Sequence, residues 1–498
     1  MKRYLLMSAL LLCGTARAAT INITPSDDWT KIEAAQAGDE VVIAPGTYAF
    51  RVYLTQTAPA NNPIIIRAQD PNNKPVVDFG ATLTDDAPGS YTAGDKGRGC
   101  WQISGGTNYQ ISGIVFQNCR NSTNNAAGIR YYNGATGIYL KDCVFKNNDN
   151  GLTGGTQDSE LTVEYSEFDS NGNPAASAPT HNLYIYGGTF TMRYSYIHDS
   201  VQGQNFHVRA KNATIEYNWF ARGNSYEGDL MTDDDATNPG AFSQSILLRG
   251  NVFVQKANPQ NNSQVFVLFN DSQPAGVQLT LNATLVNNTF VGNGGHASFV
   301  HLAQNGASDA TVEHADLYNN IVSGTSTPLT IDFGTIGGTN NYLDNGATVP
   351  GGSITGSIMG TAPFLNAGAM DYRPTGAAIG AATANAPVML PDREYFQNET
   401  VTRQWRPRAS VNDVGAFEST TTGPGIGPYD TQPVNDLGVG ADDFGVHGVD
   451  DFGPRGDDIV GVDSGCKCEV GGRARVNPLS WIVMFAIVVI LARRKMAR

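Results

Sequence analysis

The chain has 498 residues, a formal net charge of −14 and only 16% charged side chains. That length is too great for one ordinary hydrophobic core, so it requires either several domains or a repeat architecture that grows along one axis. The acidic balance excludes nucleic acid as a partner, and the wealth of Gly, Asn and Thr suits a turn-rich, all-β protein rather than a helical one.

The first 18 residues, MKRYLLMSALLLCGTARA, read as a secretory signal peptide. Lys2 and Arg3 supply the basic start, Leu5 to Cys13 the apolar stretch, and Ala16-Arg17-Ala18 the small-residue cleavage site. Leu12 stands before Cys13 where a lipoprotein signal has a small residue, which argues against lipidation there. The mature chain therefore meets an oxidising compartment. Three cysteines lie in its main body, Cys100, Cys119 and Cys143. Two can pair and one is left as a buried thiol, and the sequence does not choose the pair.

Residues 27–36, DDWTKIEAAQ, form a short amphipathic helix with an Asp as its N-cap, placed to cover the open end of a solenoid. AGDEVVIAPGTYAF (37–50) reads as strand, Pro-Gly turn and strand, and PIIIRAQ and PVVDFG add strands. From residue 111 one pattern recurs: ISGIVF, LKDCVF, VEYSEF, MRYSYI, IEYNWF, LRGNVF, LVNNTF and LYNNIV. Its last positions are Phe116, Phe145, Phe168, Ile197, Phe220, Phe253, Phe290 and Val322, separated by 23 to 37 residues. A period of that size with alternation at every second residue describes coils of short strands. Stacked coils lie about 4.8 Å apart, so the recurring Phe forms an interior ladder. Asn218, Asn251, Asn288 and Asn320 share one register and suit a side-chain hydrogen-bond ladder at a tight turn. This is the logic of a parallel β-helix over residues 19–418.

Counting back from Ile197 and Phe220 sets HNLYIY (181–186) beside QNFHVR (204–209). Alternation turns Leu183, Ile185, Phe206 and Val208 inward. It turns Asn182, Tyr184 and Tyr186 outward, beside Asn205, His207 and Arg209. In the next coil Asp229 shares that face if Leu230 points in. Such a face suits an acidic polysaccharide. Cleavage of a uronate chain by β-elimination needs a group that offsets the carboxylate, a base for the neighbouring proton and an acid for the leaving oxygen. Arg209 is the candidate for the first role, His207 or a tyrosine for the second, and Tyr184 or Tyr186 for the third. Asn182, Asn205 and Lys211 are candidate substrate-binding residues. Glu227, Asp229 and Asp233 are candidate ligands for a calcium ion bridging to substrate. Two other readings stand beside this one. A glycoside hydrolase would pair Asp229 with one of Asp233, Asp234 and Asp235. A non-catalytic surface protein would use the same polar face only to bind glycan or other surfaces.

The GDEVVIAPGTY opening, the Asn-x-Phe coils and the NDVGAFE close (412–418) resemble secreted right-handed parallel β-helix proteins of the pectate-lyase-like superfamily, over about residues 20–418. The resemblance implies an all-β right-handed solenoid with a short N-terminal capping helix. It does not fix the reaction, because that superfamily holds lyases, hydrolases, epimerases and binding proteins. Several secreted β-helix proteins carry His-Asn-x-Tyr followed one coil later by a Lys-Ser-Arg-Ala strand. His181, Asn182, Tyr184, Arg209 and Ala210 match that pattern, while His207 and Val208 replace its Lys and Ser. WRPR (405–408) sits at the terminal coil and reads as structural.

Residues 419–465 read as a disordered, acidic Gly/Asp/Pro-rich linker; from residue 421 on they hold eleven Gly and nine Asp against a single basic residue, Arg455. Residues 466–498 hold Cys466 and Cys468, an apolar helix-forming run from Leu479 to Ala492, and the basic cluster Arg493, Arg494 and Lys495. This tail resembles the C-terminal sorting signals of myxobacterial surface proteins. It implies processing near Gly465, Cys466 and Cys468, passage through the membrane, engagement of a sorting machinery, and display at the cell surface.

Overall fold

A computed structural model describes residues 18–91, 95–231, 243–256, 264–268, 279–292, 298–302, 312–361, 363–396 and 403–430. The signal peptide up to residue 17, Asp233, and residues 431–498 with Gly465, Cys466, Cys468 and the apolar run lie outside them.

Alternation of apolar and polar residues makes the strands. Ile64–Ala68 buries every second side chain, as does the start of Leu183–Arg193. Within the coils the strands pair in parallel, each against its counterpart one coil away. Ala127–Tyr132 pairs with Gly99–Ser104 on one side and Asn150–Gly154 on the other. Ile138–Lys141 and Val144–Lys146 do the same with their own neighbours. Three short strands thus close each coil, and the stacked coils form a right-handed parallel β-helix.

The repeat read from the sequence is the observed register. Phe116, Phe145, Phe168, Ile197, Phe220, Phe253, Phe290 and Val322 are consecutive cross-strand partners. The rings of Phe145 and Phe168 stack at 4.7 Å, and those of Phe253 and Phe290 at 4.5 Å. Each of these side chains is at most 3% exposed, and burying one contributes about 1.5–3 kcal/mol. Asn218, Asn251, Asn288 and Asn320 form the expected ladder, which Asn341 extends. Asn118, Asn147, Ser170, Asp199 and Arg222 turn one corner in successive coils with φ between 53° and 57°. Asn and Asp tolerate that left-handed geometry best.

In two coils the first two strands run together as Leu183–Arg193 and Phe206–Glu216. The bend falls at Gly187 (φ +135°), where a Cβ would lie 2.5 Å from the Thr156 carbonyl oxygen. The N-terminal helix covers the end of the core with Ile32, but it is a single turn, Thr30–Glu33. Its N-cap is Trp29, and the Asp28 carboxylate accepts the Thr30 N–H.

The C-terminal part straps the solenoid from outside. Arg393–Tyr395 pairs antiparallel with Trp405–Pro407, and the Trp405 indole donates to the Tyr165 hydroxyl at 2.8 Å. Both arginines of WRPR are structural: Arg406 pairs with Glu394 and Arg408 with Glu418, all four buried. Residues 419–430, assigned to the linker by composition, belong to this strap. Ile426 bridges Trp405, and Thr421 is 2% exposed. Cys100 and Cys119 form the disulfide, and Cys143 is the buried thiol.

Candidate active site on the outer face

Parallel register sets side chains of equivalent position in straight rows across the coils. One outward row reads Gln102, Arg130, Thr153, Tyr184, His207 and Asp229. Beside it, Tyr186 is the partner of Arg209. Tyr184, His207, Arg209 and Asp229 thus lie close together on three adjacent strands. Leu183, Ile185, Phe206, Val208 and Leu230 point into the core and hold those strands in place.

His207 is the centre of the group. Its ring meets Tyr184 edge-on at 4.6 Å and lies 5.0 Å from the His181 ring. Arg209 donates from Nε to His207 Nε2 at 3.1 Å. An arginine can only donate, so Nε2 is the acceptor and the proton of the neutral ring sits on Nδ1. Among the described residues Nδ1 has no hydrogen-bond partner, and Asp229 Oδ2 is 3.7 Å away. With a neutral ring that contact is not an ion pair. Burial, then His181, then Arg209 hold the His207 pKa well below its ordinary value. His181 is neutral for the same reasons, burial first and Arg209 second, with a pKa lowered to about 3. Gln204 ties the base of the site together: its N–H donates to His181 Nδ1 and its side-chain amide donates to Asp229 Oδ2 at 3.1 Å. Arg209 reaches Met231 Sδ at 3.8 Å. Tyr184 and Tyr186 are the half-exposed members, and His207 and Arg209 lie beneath, 7% and 6% exposed.

Three expectations are corrected. Asn182 and Asn205 are not substrate-binding residues on the outer face. Both are fully buried rungs of a second asparagine ladder, which runs Asn148, Asn171, Asn182, Asn205. Each precedes the first residue of its strand, so the pleat does not yet apply and the side chain turns in at the corner. Glu227 is not a calcium ligand on that face. It ends the same ladder, accepting from Asn205 Nδ2 at 2.6 Å and from the Gly223 N–H at 2.9 Å. Burial pushes its pKa up to about 8. Lys211 is exposed beside the equally exposed Asn212, at the bend of its strand rather than within the group.

Calcium takes six to eight oxygen ligands. Of the three expected here, Glu227 faces inward, one oxygen of Asp229 is held by Gln204, and Asp233 lies outside the described residues. The described residues alone bring one of the three, Asp229, to that face. The partners expected for Asp229 in a hydrolase, Asp233, Asp234 and Asp235, lie outside the described residues, which place Asp229 as the one carboxylate in this group. Sequence reading undervalued His181 and Gln204. The signal was present: both flank the Asn that opens each strand.

A second histidine cluster lies on another face. His198 Nδ1 is 2.8 Å from Asp199 and 3.7 Å from Asp169, and Nε2 is 3.3 Å from Glu167. Burial opposes its charge, but the hydrogen bonds to Asp199 and Glu167 prevail and raise its pKa to about 9. Arg222 takes both oxygens of Asp199 at 2.8 Å. Two cations thus already occupy a grouping of Asp169, His198 and Asp199 whose spacing could admit a metal ion.

No protein-family model matches this sequence, and a comparison with curated proteins finds no match. Among solved structures, the chain is similar to the pectate lyase Pel9A, with TM-score 0.50 and 13% identity over 81% of this chain and 97% of that one. The catalytic unit of a GH87 α-1,3-glucanase from Streptomyces thermodiastaticus strain HF3-3 gives TM-score 0.44 and 12% identity over 70% and 68%. A mannuronic acid specific family 6 lyase from human gut microbiota gives 0.41 and 13% over 68% and 77%. At such identities the likeness shows the fold alone.

Proposed function

We propose that the outer face binds an acidic polysaccharide and cleaves it by β-elimination. The observation that carries this reading is the convergence, among the described residues, of the Arg209 guanidinium, the neutral His207 imidazole with His181 against it, and two half-exposed phenols around Asp229 on three adjacent strands. Arg209 pairs with the uronate carboxylate and spreads the charge that develops when the adjacent proton leaves. His207 takes that proton at Nε2, the atom Arg209 releases as it turns to the substrate. The incoming anion offsets Arg209, one cause of the low His207 pKa, and moves the ring toward the range where a base works. The electron pair of the broken C–H bond forms the new carbon–carbon double bond, the glycosidic C–O bond breaks, and the leaving oxygen takes a proton from Tyr184. No water is consumed, and no step passes through calcium.

The chain acts outside the cytoplasm. A leader with a basic start and an apolar run, a Gly/Cys tail with an apolar segment, and a disulfide between Cys100 and Cys119 support export and display at the surface. The fold it shares with a pectate lyase is compatible with this chemistry without specifying it.

The test uses alginate, pectate and chondroitin with the full chain, with and without a chelator, and follows the ultraviolet absorbance of an unsaturated product. Product from the wild type in both conditions, with none from Arg209→Ala, is the expected result. A polymer that binds tightly but is never cut would instead make the face a glycan-binding surface.

A further inference from the structure

The row that carries His207 continues away from it. Three strands earlier it presents Arg130, by way of Thr153 and Tyr184. Three steps of the solenoid separate Arg130 from His207 by about 14 Å, the reach of a few sugar units along the helix axis. Arg130 is half-buried, and among the described residues it has no salt bridge; its Nε has no hydrogen-bond partner. An arginine normally satisfies that fork of donors with a carboxylate or phosphate. The surroundings are built rather than incidental. The guanidinium lies 5.7 Å from the Tyr132 ring centre, the Tyr132 hydroxyl donates to Gln102 Oε1 at 3.0 Å, and Gln102 donates onward to the Asp95 carbonyl. Gly99 alongside leaves room: a Cβ there would come within 3.3 Å of Arg130 Cβ. Burial, with Arg98 repelling from nearby, lowers the Arg130 pKa to about 10, while Tyr132 and Asp95 oppose the shift. The cation therefore gains from an added anion.

We infer that Arg130, with the Tyr132 ring beside it, forms a distal subsite that takes the carboxylate of a uronate unit a few sugars from the bond at His207. The inference rests on the acidic-glycan reading of the outer face. It makes the protein prefer long chains to short ones: a chain that spans both arginines is held at two carboxylates, and a dimer or trimer at one.

The experiment compares wild type, Arg130→Gln and Arg98→Ala on oligouronates of defined length from alginate and pectate, measuring binding by calorimetry and cleavage by product analysis. Melting temperatures check that each variant is folded. Arg130→Gln is expected to weaken binding of long oligomers about tenfold, the loss of one charge-assisted contact, and to leave the shortest cleavable oligomers unchanged. Arg98→Ala shifts long-chain binding in the same direction by less; it carries the test if Arg130→Gln does not fold. Variants that bind and cut all lengths as the wild type does overturn the subsite while the lyase reading stands. Length-dependent binding that Arg130→Gln loses, with no product from any variant, keeps the subsite and overturns the lyase. A wild type that binds no polyuronate overturns both.

Discussion

His207 and His198 stand nine residues apart, and both are almost fully buried, 7% and 8% exposed. His198 shares its surroundings with Glu167, Asp169 and Asp199 and is a cation. His207 also has a carboxylate near, Asp229, yet it is neutral, because burial is reinforced by His181 against its ring and Arg209 at its Nε2 rather than opposed by hydrogen-bonded carboxylates. The difference shows how a solenoid sets charge. Each side chain feels the coil before and after it as strongly as its neighbours in sequence, so the row decides, not the residue type. One row is an internally compensated ion cluster that ties coils together. The other keeps a guanidinium and an unprotonated imidazole in contact.

The largest expected effect separates the two arginines. Arg209→Ala should lower the cleavage rate by about 10³-fold or more, as loss of a charge-stabilising group does. Arg222→Ala should lower stability and leave the rate within about twofold. Rate assays and melting curves on the same preparations check this. Next, Asn205→Ala removes a buried rung and leaves Asn182 and Glu227 facing an unfilled position. It should cost about 3 kcal/mol in denaturant unfolding, because each buried polar group left without a partner costs about 1–3 kcal/mol. Activity per folded molecule should persist.

Acid sharpens the comparison further. The folded pKa values of His181 and His207 lie below that of an unfolded histidine, so neither contributes above about pH 6.5. As pH falls below that point the unfolded chain takes up protons that the folded chain refuses. Stability at pH 5 should therefore drop, by roughly 2 kcal/mol for His181 with its folded pKa of about 3, and His207 acts in the same direction. His198 has the opposite sign. Its contribution is fully present below about pH 6.5 and is lost as pH rises through its folded pKa of about 9. His198→Asn should flatten the alkaline limb of a stability–pH profile and leave the acid limb unchanged. The smallest effect belongs to Lys211→Ala, expected within about 0.5 kcal/mol of wild type and without loss of rate. A large loss of rate there would place the site at the bend.

The coils were legible because their signal is periodic and repeated. Phe116 to Val322 fixes one ladder, and that ladder fixes which residue of 181–186 lies beside which of 204–209. The alternation rule failed where the strand had not begun. Asn182, Asn205 and Glu227 each stand just before a strand, and a corner residue turns inward whatever its parity. The asparagine ladder recognised at Asn218 to Asn320 held the clue, since Asn148, Asn171, Asn182 and Asn205 occupy a comparable corner. The neutrality of His207 was not legible, because it arises from burial and from the two residues that flank its ring in space. The strap is hidden in the sequence for another reason: Gly and Pro near residue 425 have linker composition, while the contact that orders them, Ile426 on Trp405, exists only in the fold.

In the proposed reaction Arg209 and His207 cleave a uronate chain without adding water. Mass and proton spectra of the products that the wild-type chain forms from alginate and pectate test it directly. The expected fragments carry a double bond at the new non-reducing end, are one water lighter than hydrolysis products, and are missing from the Arg209→Ala digest. Fully hydrated fragments, or the same products from Arg209→Ala, would contradict it.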